Sequence, residues 1–151
     1  MKKVLKTIVI TTLVMFIGIS SYAQNKNNED KLIGTWTLDY NKTANAIKSD
    51  AKQHYDAFNS EKKQSLQSSF SQRKMTFESD GSYTLVVNSE RQVKGTWNLK
   101  KDGVTLELKA NGRTVTHSIG KISNQNLELN LEKSTVAKQL FGTWILDKVS
   151  N

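Results

Sequence analysis

The segment from Met75 to Ile119, which reads MTFESDGSYTLVVNSERQVKGTWNLKKDGVTLELKANGRTVTHSI, decides the fold. Apolar and polar residues alternate along it in short runs, a period typical of strands that bury one face. The runs are separated by the dipeptides Asp80-Gly81, Asp102-Gly103 and Asn111-Gly112. Asp-Gly and Asn-Gly favour type I′ turns, which need positive φ at both central residues. The segment therefore predicts consecutive hairpins in an antiparallel meander.

The alternation continues on both sides of this segment. It predicts a first strand from Leu32 to Tyr40, another around Leu127 to Leu131, and a last strand from about Leu140 to Val149. No proline interrupts these runs. Eight strands in meander order favour closure, because a closed sheet leaves no unpaired edge. We therefore predict an all-β fold, an eight-stranded antiparallel up-and-down β-barrel, with a β-sandwich as the alternative.

Residues 41–72 lack the alternation and carry apolar residues at helical spacing instead. These residues are Ala44, Ile47, Ala51, Tyr55, Phe58, Leu66 and Phe70. The spacing predicts a helical insert, a hairpin of two helices between the first and second strands. Ser60 is the predicted N-cap of the second helix, because its hydroxyl can accept a hydrogen bond from an unpaired amide of the first turn.

Residues 1–23 have the features of a secretory signal peptide. A basic start is followed by an apolar stretch from Ile8 to Ile19 and by small residues that end at Ala23. The apolar stretch is shorter than the roughly 20 residues that a membrane span needs. We therefore expect cleavage near Ala23, export to the periplasm or the extracellular space, and no stable membrane span afterwards. Residues 24–31 are polar and predict a flexible lead-in, which leaves 32–151 as one domain.

The composition excludes several classes of function. The chain has 151 residues and a formal charge of +8, which falls to +5 without the three lysines of residues 1–23. No block of Lys and Arg is dense enough to follow a phosphate backbone, so we expect no nucleic-acid partner. The absence of cysteine excludes disulfides and thiolate chemistry and leaves the core to hold the fold.

A Gly-Thr-Trp tripeptide occurs three times, at Gly34–Trp36, Gly95–Trp97 and Gly142–Trp144. In each copy the glycine and the tryptophan share one strand face, and the missing side chain leaves room for a neighbouring ring or a bend. The first and last strands are neighbours in a closed barrel. We therefore expect Trp36 and Trp144 to lie close together at one end, with Trp97 on the far side.

These motifs resemble the lipocalins, and the chain looks like the small bacterial lipocalin-like domains. Their layout of a Gly-x-Trp strand, a helical insert, a Phe-x-x-Asp-Gly-x-Tyr hairpin and a second Gly-x-Trp is matched by Gly34–Trp36, 41–72, Phe77–Tyr83 and Gly95–Trp97. The resemblance implies an up-and-down barrel with a cup for a hydrophobic small molecule.

Two features depart from the pattern of typical lipocalins. The last strand carries Gly142–Trp144 where typical members have an arginine over the first-strand tryptophan, and the helices come after the first strand instead of after the barrel. In typical members the connection between the first two strands covers the cup. The insert here could act as a lid or as a plug.

The inward positions of the strands supply the candidate ligand-binding residues. They are Trp36, Tyr83, Trp97, Arg113, His117 and Trp144. Most of the inward strand positions are apolar. Such a lining fits a pocket and fits a solid core equally well, because side chains alone can fill a small eight-stranded barrel. His117 could anchor a ligand carboxylate or head group, or be a hydrogen-bonded core histidine. Arg113 could place a cation at the mouth.

Catalysis finds little support in the sequence. His54 and His117 lack metal-ligand spacing, and the acidic residues lie in turns or on outward strand positions. We predict no enzymatic activity, no metal and no cofactor. The sequence favours an exported protein that holds a small hydrophobic molecule inside the barrel. The alternative is a protein-binding, inhibitory or structural envelope module with a filled core and a protein partner.

Overall fold

The computed structural model describes residues 26–132 and 140–150, and the predicted signal peptide and its cleavage site lie outside these residues. Residues 26–32 are helical (α1). The following elements are β1 Gly34–Leu38, α2 Tyr40–Asn45, α3 Ser49–Asp56, α4 Ser60–Ser71, β2 Lys74–Phe77, β3 Ser82–Val86, β4 Gln92–Leu99, β5 Thr105–Ala110, β6 Arg113–Ile122, β7 Asn126–Leu131 and β8 Thr143–Lys148.

The eight strands form one closed antiparallel barrel in the order of the sequence. Each strand pairs with the next, and β8 closes the sheet on β1 with Trp36 opposite Lys148 and Leu38 opposite Leu146. The predicted meander barrel is confirmed, as is the position of the helices between β1 and β2, and the sandwich alternative is wrong. The first strand is shorter than predicted because Leu32 belongs to α1 and Tyr40 begins α2.

The three predicted hairpins are present, but their turns differ in type. Asn111 and Gly112 have φ of 51° and 70°, which is the type I′ geometry predicted from their sequence. In Asp80-Gly81 and Asp102-Gly103 only the glycine has positive φ. There the glycine N–H closes a turn onto the carbonyl three residues earlier, as in a type I turn. The prediction of a type I′ turn is therefore wrong at these two sites.

The insert contains three helices instead of two, and Asn59, not Ser60, caps the last of them. The side-chain oxygen of Asn59 accepts a hydrogen bond from the Lys62 N–H at 2.9 Å. The Thr43 hydroxyl fixes α2 to β8 by accepting the Ile145 N–H at 3.0 Å. Among the helices that the structure describes, none is both long and apolar enough to cross a membrane.

One end of the barrel, which we term the closed end, is formed by the turns at 78–81, 100–104 and 123–125 together with α1. Trp36 and Phe77 are fully buried there, and the Phe77 and Trp97 rings meet edge to face at 5.6 Å. The Trp36 indole N–H donates to the Leu32 carbonyl at 2.8 Å. This half of the barrel is therefore a solid hydrophobic core.

Helix α1 replaces the flexible lead-in that the polar composition of residues 24–31 predicts. Asn28 is buried, and its side-chain amide donates to the Gly103 carbonyl at 2.9 Å. Leu32, at the end of the helix, is fully buried in the closed-end core. Helix α1 is therefore docked on the barrel through the Asn28 amide and the Leu32 side chain.

The opposite, open end carries the helices, the loop at 87–91 and the turn at 111–112. In the register of β1 and β8, Trp36 is opposite Lys148. Trp144 precedes Lys148 by four residues on β8 and lies nearer the open end. Trp36 and Trp97 therefore share the closed-end core, whereas Trp144 packs against that core from the side of the open end. The prediction that Trp36 and Trp144 lie close together at one end is wrong, because the register sets them four positions apart. A second apolar cluster, centred on Tyr40, Ile47 and Phe141, joins the helices to this side of the open end.

Candidate ligand-binding cavity

A cavity of about 550 Å³ occupies the open half of the barrel. Its walls come from β2 to β8 and are mostly apolar. The lining residues are Met75, Tyr83, Leu85, Arg91, Val93, Leu108, Ala110, Asn111, Arg113, Val115, His117, Leu131 and Trp144. Val115 faces inward and is still 42% exposed, which shows that solvent reaches the wall. The barrel is thus filled at one end and hollow at the other.

Gly95, on β4, leaves room for the side chain of a neighbouring strand. A Cβ atom at Gly95 would overlap the Lys109 carbonyl oxygen and would lie 2.8 Å from the Tyr83 ring and 2.9 Å from the Ala110 Cβ. Tyr83 therefore lies over the bare backbone of Gly95. The room for a neighbouring ring that the Gly-x-Trp spacing predicts is confirmed at this copy of the repeat.

Four of the six predicted site residues, Tyr83, Arg113, His117 and Trp144, line the cavity. Trp36 and Trp97 are not among its lining residues. Both are buried in the closed-end core, and their indole N–H groups donate to the carbonyls of Leu32 and Glu78. Because their polar atoms are already satisfied by the backbone, their role is to pack the core.

The rim of the open end carries three arginines, and only Arg113 is predicted there from the sequence. Arg73 precedes β2, Arg91 precedes β4, and Arg113 begins β6. These three strands run in the same direction, away from the open end. Each arginine lies two residues before an inward apolar residue and so shares its strand face. Arg91 and Arg113 line the cavity.

Arg73 lies beside the cavity, over aromatic rings. Its guanidinium is 3.7 Å from the centre of the Phe70 ring and 5.3 Å from that of Trp144. Its Nε atom is buried and has no hydrogen-bond partner. Burial and, to a smaller extent, the positive charge of Arg91 lower the pKa of Arg73. The two cations are therefore close enough to repel each other.

A second pocket of about 290 Å³ adjoins the cavity and shares Trp144 with it. Its other walls are Leu66, Phe70, Arg73, Leu140 and Phe141. The helical insert supplies Leu66 and Phe70 to this pocket. Among its described residues, the insert supplies none to the main cavity, so it covers one side of the open end without plugging the barrel.

His117 lies deep in the cavity wall and is 6% exposed. Burial lowers the pKa of its imidazole to about 4, so the ring is neutral at neutral pH. Its Nδ1 atom is buried and has no hydrogen-bond partner. Buried polar atoms are normally paired. His117 therefore offers a hydrogen-bonding group, and not a positive charge, to whatever occupies the cavity.

Comparisons with known proteins add little to this geometry. No protein-family model and no curated protein matches the sequence. Among solved structures, the chain is similar to a DUF4847 family protein from Bacteroides vulgatus ATCC 8482. The two share 14% identity over 78% of this chain and 92% of the other, with a TM-score of 0.45. Within residues 26–132 and 140–150, no group of three metal-ligating side chains converges.

Proposed function

We propose that this protein binds one small, largely apolar molecule in the open half of the barrel. The observation that carries the proposal is the cavity of about 550 Å³ with mostly apolar walls. Ligand sites in proteins are typically clefts of about 300–1,000 Å³ lined by apolar side chains with a few polar groups. Tyr83, Arg113 and His117 are the polar groups here.

The contrast between the two ends of the barrel supports a binding role. In the closed end Trp36, Phe77 and Leu129 are fully buried in a packed apolar core. In the open end the wall around Val115 has no such filling. Atoms that line an empty space lose the dispersion contacts of a packed core, so a molecule that fills it would restore them.

A lipocalin-like architecture is part of the proposal. The Lys148 ammonium lies 5.0 Å from the centre of the Trp36 ring and donates to the Lys31 carbonyl at 2.9 Å. A cation from the last strand thus covers the first-strand tryptophan, although no such residue is predicted there from the sequence. We further propose that the protein acts outside the cytoplasm, as the signal-peptide features of residues 1–23 suggest.

The binding proposal is tested by filling the cavity from its wall. Purified protein is titrated with the neutral apolar dye N-phenylnaphthylamine, whose fluorescence increases in apolar surroundings. We expect one saturable site in the wild type. Val115→Trp should weaken dye binding by about tenfold or more, because a large ring on the cavity wall occupies the ligand volume.

The matched control for this experiment is Val104→Trp. Val104 is also an exposed valine, but it belongs to the β4–β5 turn at the closed end. The control variant should bind the dye as the wild type does, and thermal melts should show that both variants fold. Equal dye binding by the wild type and Val115→Trp, or no saturable binding at all, would contradict the proposed site.

A further inference from the structure

All three arginines of the chain lie at the rim of the open end, where they line the cavity or the adjoining pocket, whereas no lysine of the described residues lines either of them. Arg73, Arg91 and Arg113 occupy inward positions at the starts of alternate strands. The lysines of the same region, such as Lys94 and Lys109, are exposed on the outward face. The guanidinium has a planar set of donors that matches carboxylate and phosphate oxygens, and a lysine ammonium lacks this fork. The separation of the two residue types therefore distinguishes the rim chemically from the rest of the surface.

No acidic side chain neutralises these arginines in the described structure. The ion pairs found there join lysines to Asp39, Asp56, Asp147 and Glu107. Glu90 is next to Arg91 in the chain and forms no ion pair with it. Arg73 also keeps a buried Nε atom without a hydrogen-bond partner. The rim therefore holds like charges that repel one another until an anion joins them.

Below the rim, the next inward residue of each of these strands is apolar. Val93 follows Arg91 and Val115 follows Arg113 on the same inward face, about 7 Å further into the barrel. Leu108, on the strand between them, continues this apolar surface. A charged rim above an apolar wall matches a molecule that has an anionic head and an apolar tail.

We propose that the ligand is an amphiphile with a carboxylate or phosphate head group, which Arg91 and Arg113 bind at the rim while its tail lies along Val93, Val115 and Leu108. Arg73, stacked on Phe70 at the border of the adjoining pocket, adds its charge to the same rim. This inference rests on the proposed function, because it assigns the head group of the molecule that fills the cavity.

The test compares ligands that share one tail and differ only in the head. Dodecanoate, dodecyl phosphate, dodecanol and dodecyltrimethylammonium each compete with N-phenylnaphthylamine, below their critical micelle concentrations. We expect at least one of the two anions to bind about tenfold more tightly than the alcohol, and the cation to bind most weakly. Comparison of dodecanoate with dodecyl phosphate shows which head group the rim prefers.

Double substitutions show whether the arginines bind the anionic head group. Arg91→Gln with Arg113→Gln should reduce the affinity for the preferred anion by at least about tenfold more than it reduces the affinity for dodecanol. The control is Lys94→Gln with Lys109→Gln, which removes the same charge from the outward face and should change neither affinity. Dye binding and thermal melts of both double variants verify that the cavity and the fold persist.

The outcomes separate this inference from the proposed function. Equal binding of the anions and dodecanol, or anion binding that survives the arginine substitutions, would overturn the anionic head group and leave the cavity as an apolar site. Failure of the dye and of every amphiphile to bind would overturn both. Loss of anion binding in the lysine control as well would show that net charge, and not the rim, attracts the ligand, and would also overturn the inference.

Discussion

The His117 imidazole is buried in the barrel wall, and burial lowers its pKa to about 4 from an ordinary value of 6.5. Between these two pH values the unfolded chain binds a proton that the folded protein does not. The stability contributed by the neutral ring is therefore complete above about pH 6.5 and is lost as the pH falls toward 4. We expect this residue to lower the free energy of unfolding by about 2 kcal/mol between pH 7 and pH 5.

Urea denaturation at the two pH values tests this expectation. The wild type should lose about 2 kcal/mol more than His117→Leu on acidification. His54→Leu, at an exposed position on α3, should behave as the wild type does. The pKa values of Asp39, Asp80 and Asp102 are also lowered, but these residues are unchanged in all three proteins and their effect cancels. Parallel pH curves for the wild type and His117→Leu would contradict the buried neutral imidazole.

At single positions, strand parity predicts which side chains face inward, and it places Tyr83, Arg113, His117 and Trp144 correctly. It does not reveal Arg73 and Arg91, since both lie one residue before their strands begin. Arg73 lies two residues before Met75, and Arg91 lies two residues before Val93. Extending the inward alternation by one position at the start of each strand would have identified both arginines. Parity also cannot tell at what depth an inward residue lies, so it groups Trp36 and Trp97 with the cavity residues.

Helix α1 shows how an element is stabilised by partners far away in the chain. Asn28 and the Gly103 carbonyl are 75 residues apart, and both residues are buried. Removing the amide leaves that carbonyl without its donor away from water. We expect Asn28→Ala to lower the free energy of unfolding by about 1–2 kcal/mol.

The neighbouring Asn27 provides the control for this substitution, since it lies on the same helix and is exposed. Asn27→Ala changes the helix propensity in the same way without removing a buried contact. Urea denaturation should therefore show a lower midpoint for Asn28→Ala alone. Equal midpoints for the two variants would show that α1 is not docked on the closed end as described.

For the elements as a group, local sequence signals predict that a hairpin or helical region exists better than they predict its turn type, its number of helices or its cap. The turn dipeptides place the hairpins, because glycine after Asp or Asn tolerates positive φ, but only Asn111-Gly112 has the predicted turn type. Helical spacing locates the insert at 41–72 without giving its three helices or the Asn59 cap. Polar composition hides α1, because its stabilising contacts are made with a distant turn.

On the scale of the whole molecule, the barrel is divided into a solid closed half and a hollow open half. The inward residues of each strand are predictable from the sequence, and so is closure of the meander. The offset between β1 and β8 is not, because it depends on how the paired strands are staggered around the barrel. This offset separates Trp144 from Trp36, and with it the cavity from the core.

The division into halves predicts a different response to extra volume at the two ends. Val115 and Ile119 lie on the same face of β6, four residues apart, with Val115 in the cavity wall and Ile119 in the core. Ile119→Phe overpacks the core and should lower the free energy of unfolding by about 1–3 kcal/mol. Val115→Phe enters empty space and should lower it by less than about 0.5 kcal/mol, or raise it by restoring dispersion contacts.

Urea denaturation of the two variants and the wild type at neutral pH, without ligand, measures this difference. The two substitutions introduce the same side chain into the same strand, so strand propensity contributes about equally to both. Since the cavity makes room for the ring at Val115, the same ring should also reduce binding of N-phenylnaphthylamine in that variant and not in Ile119→Phe. A loss of stability in Val115→Phe as large as that in Ile119→Phe would mean that the open half is packed as tightly as the closed half.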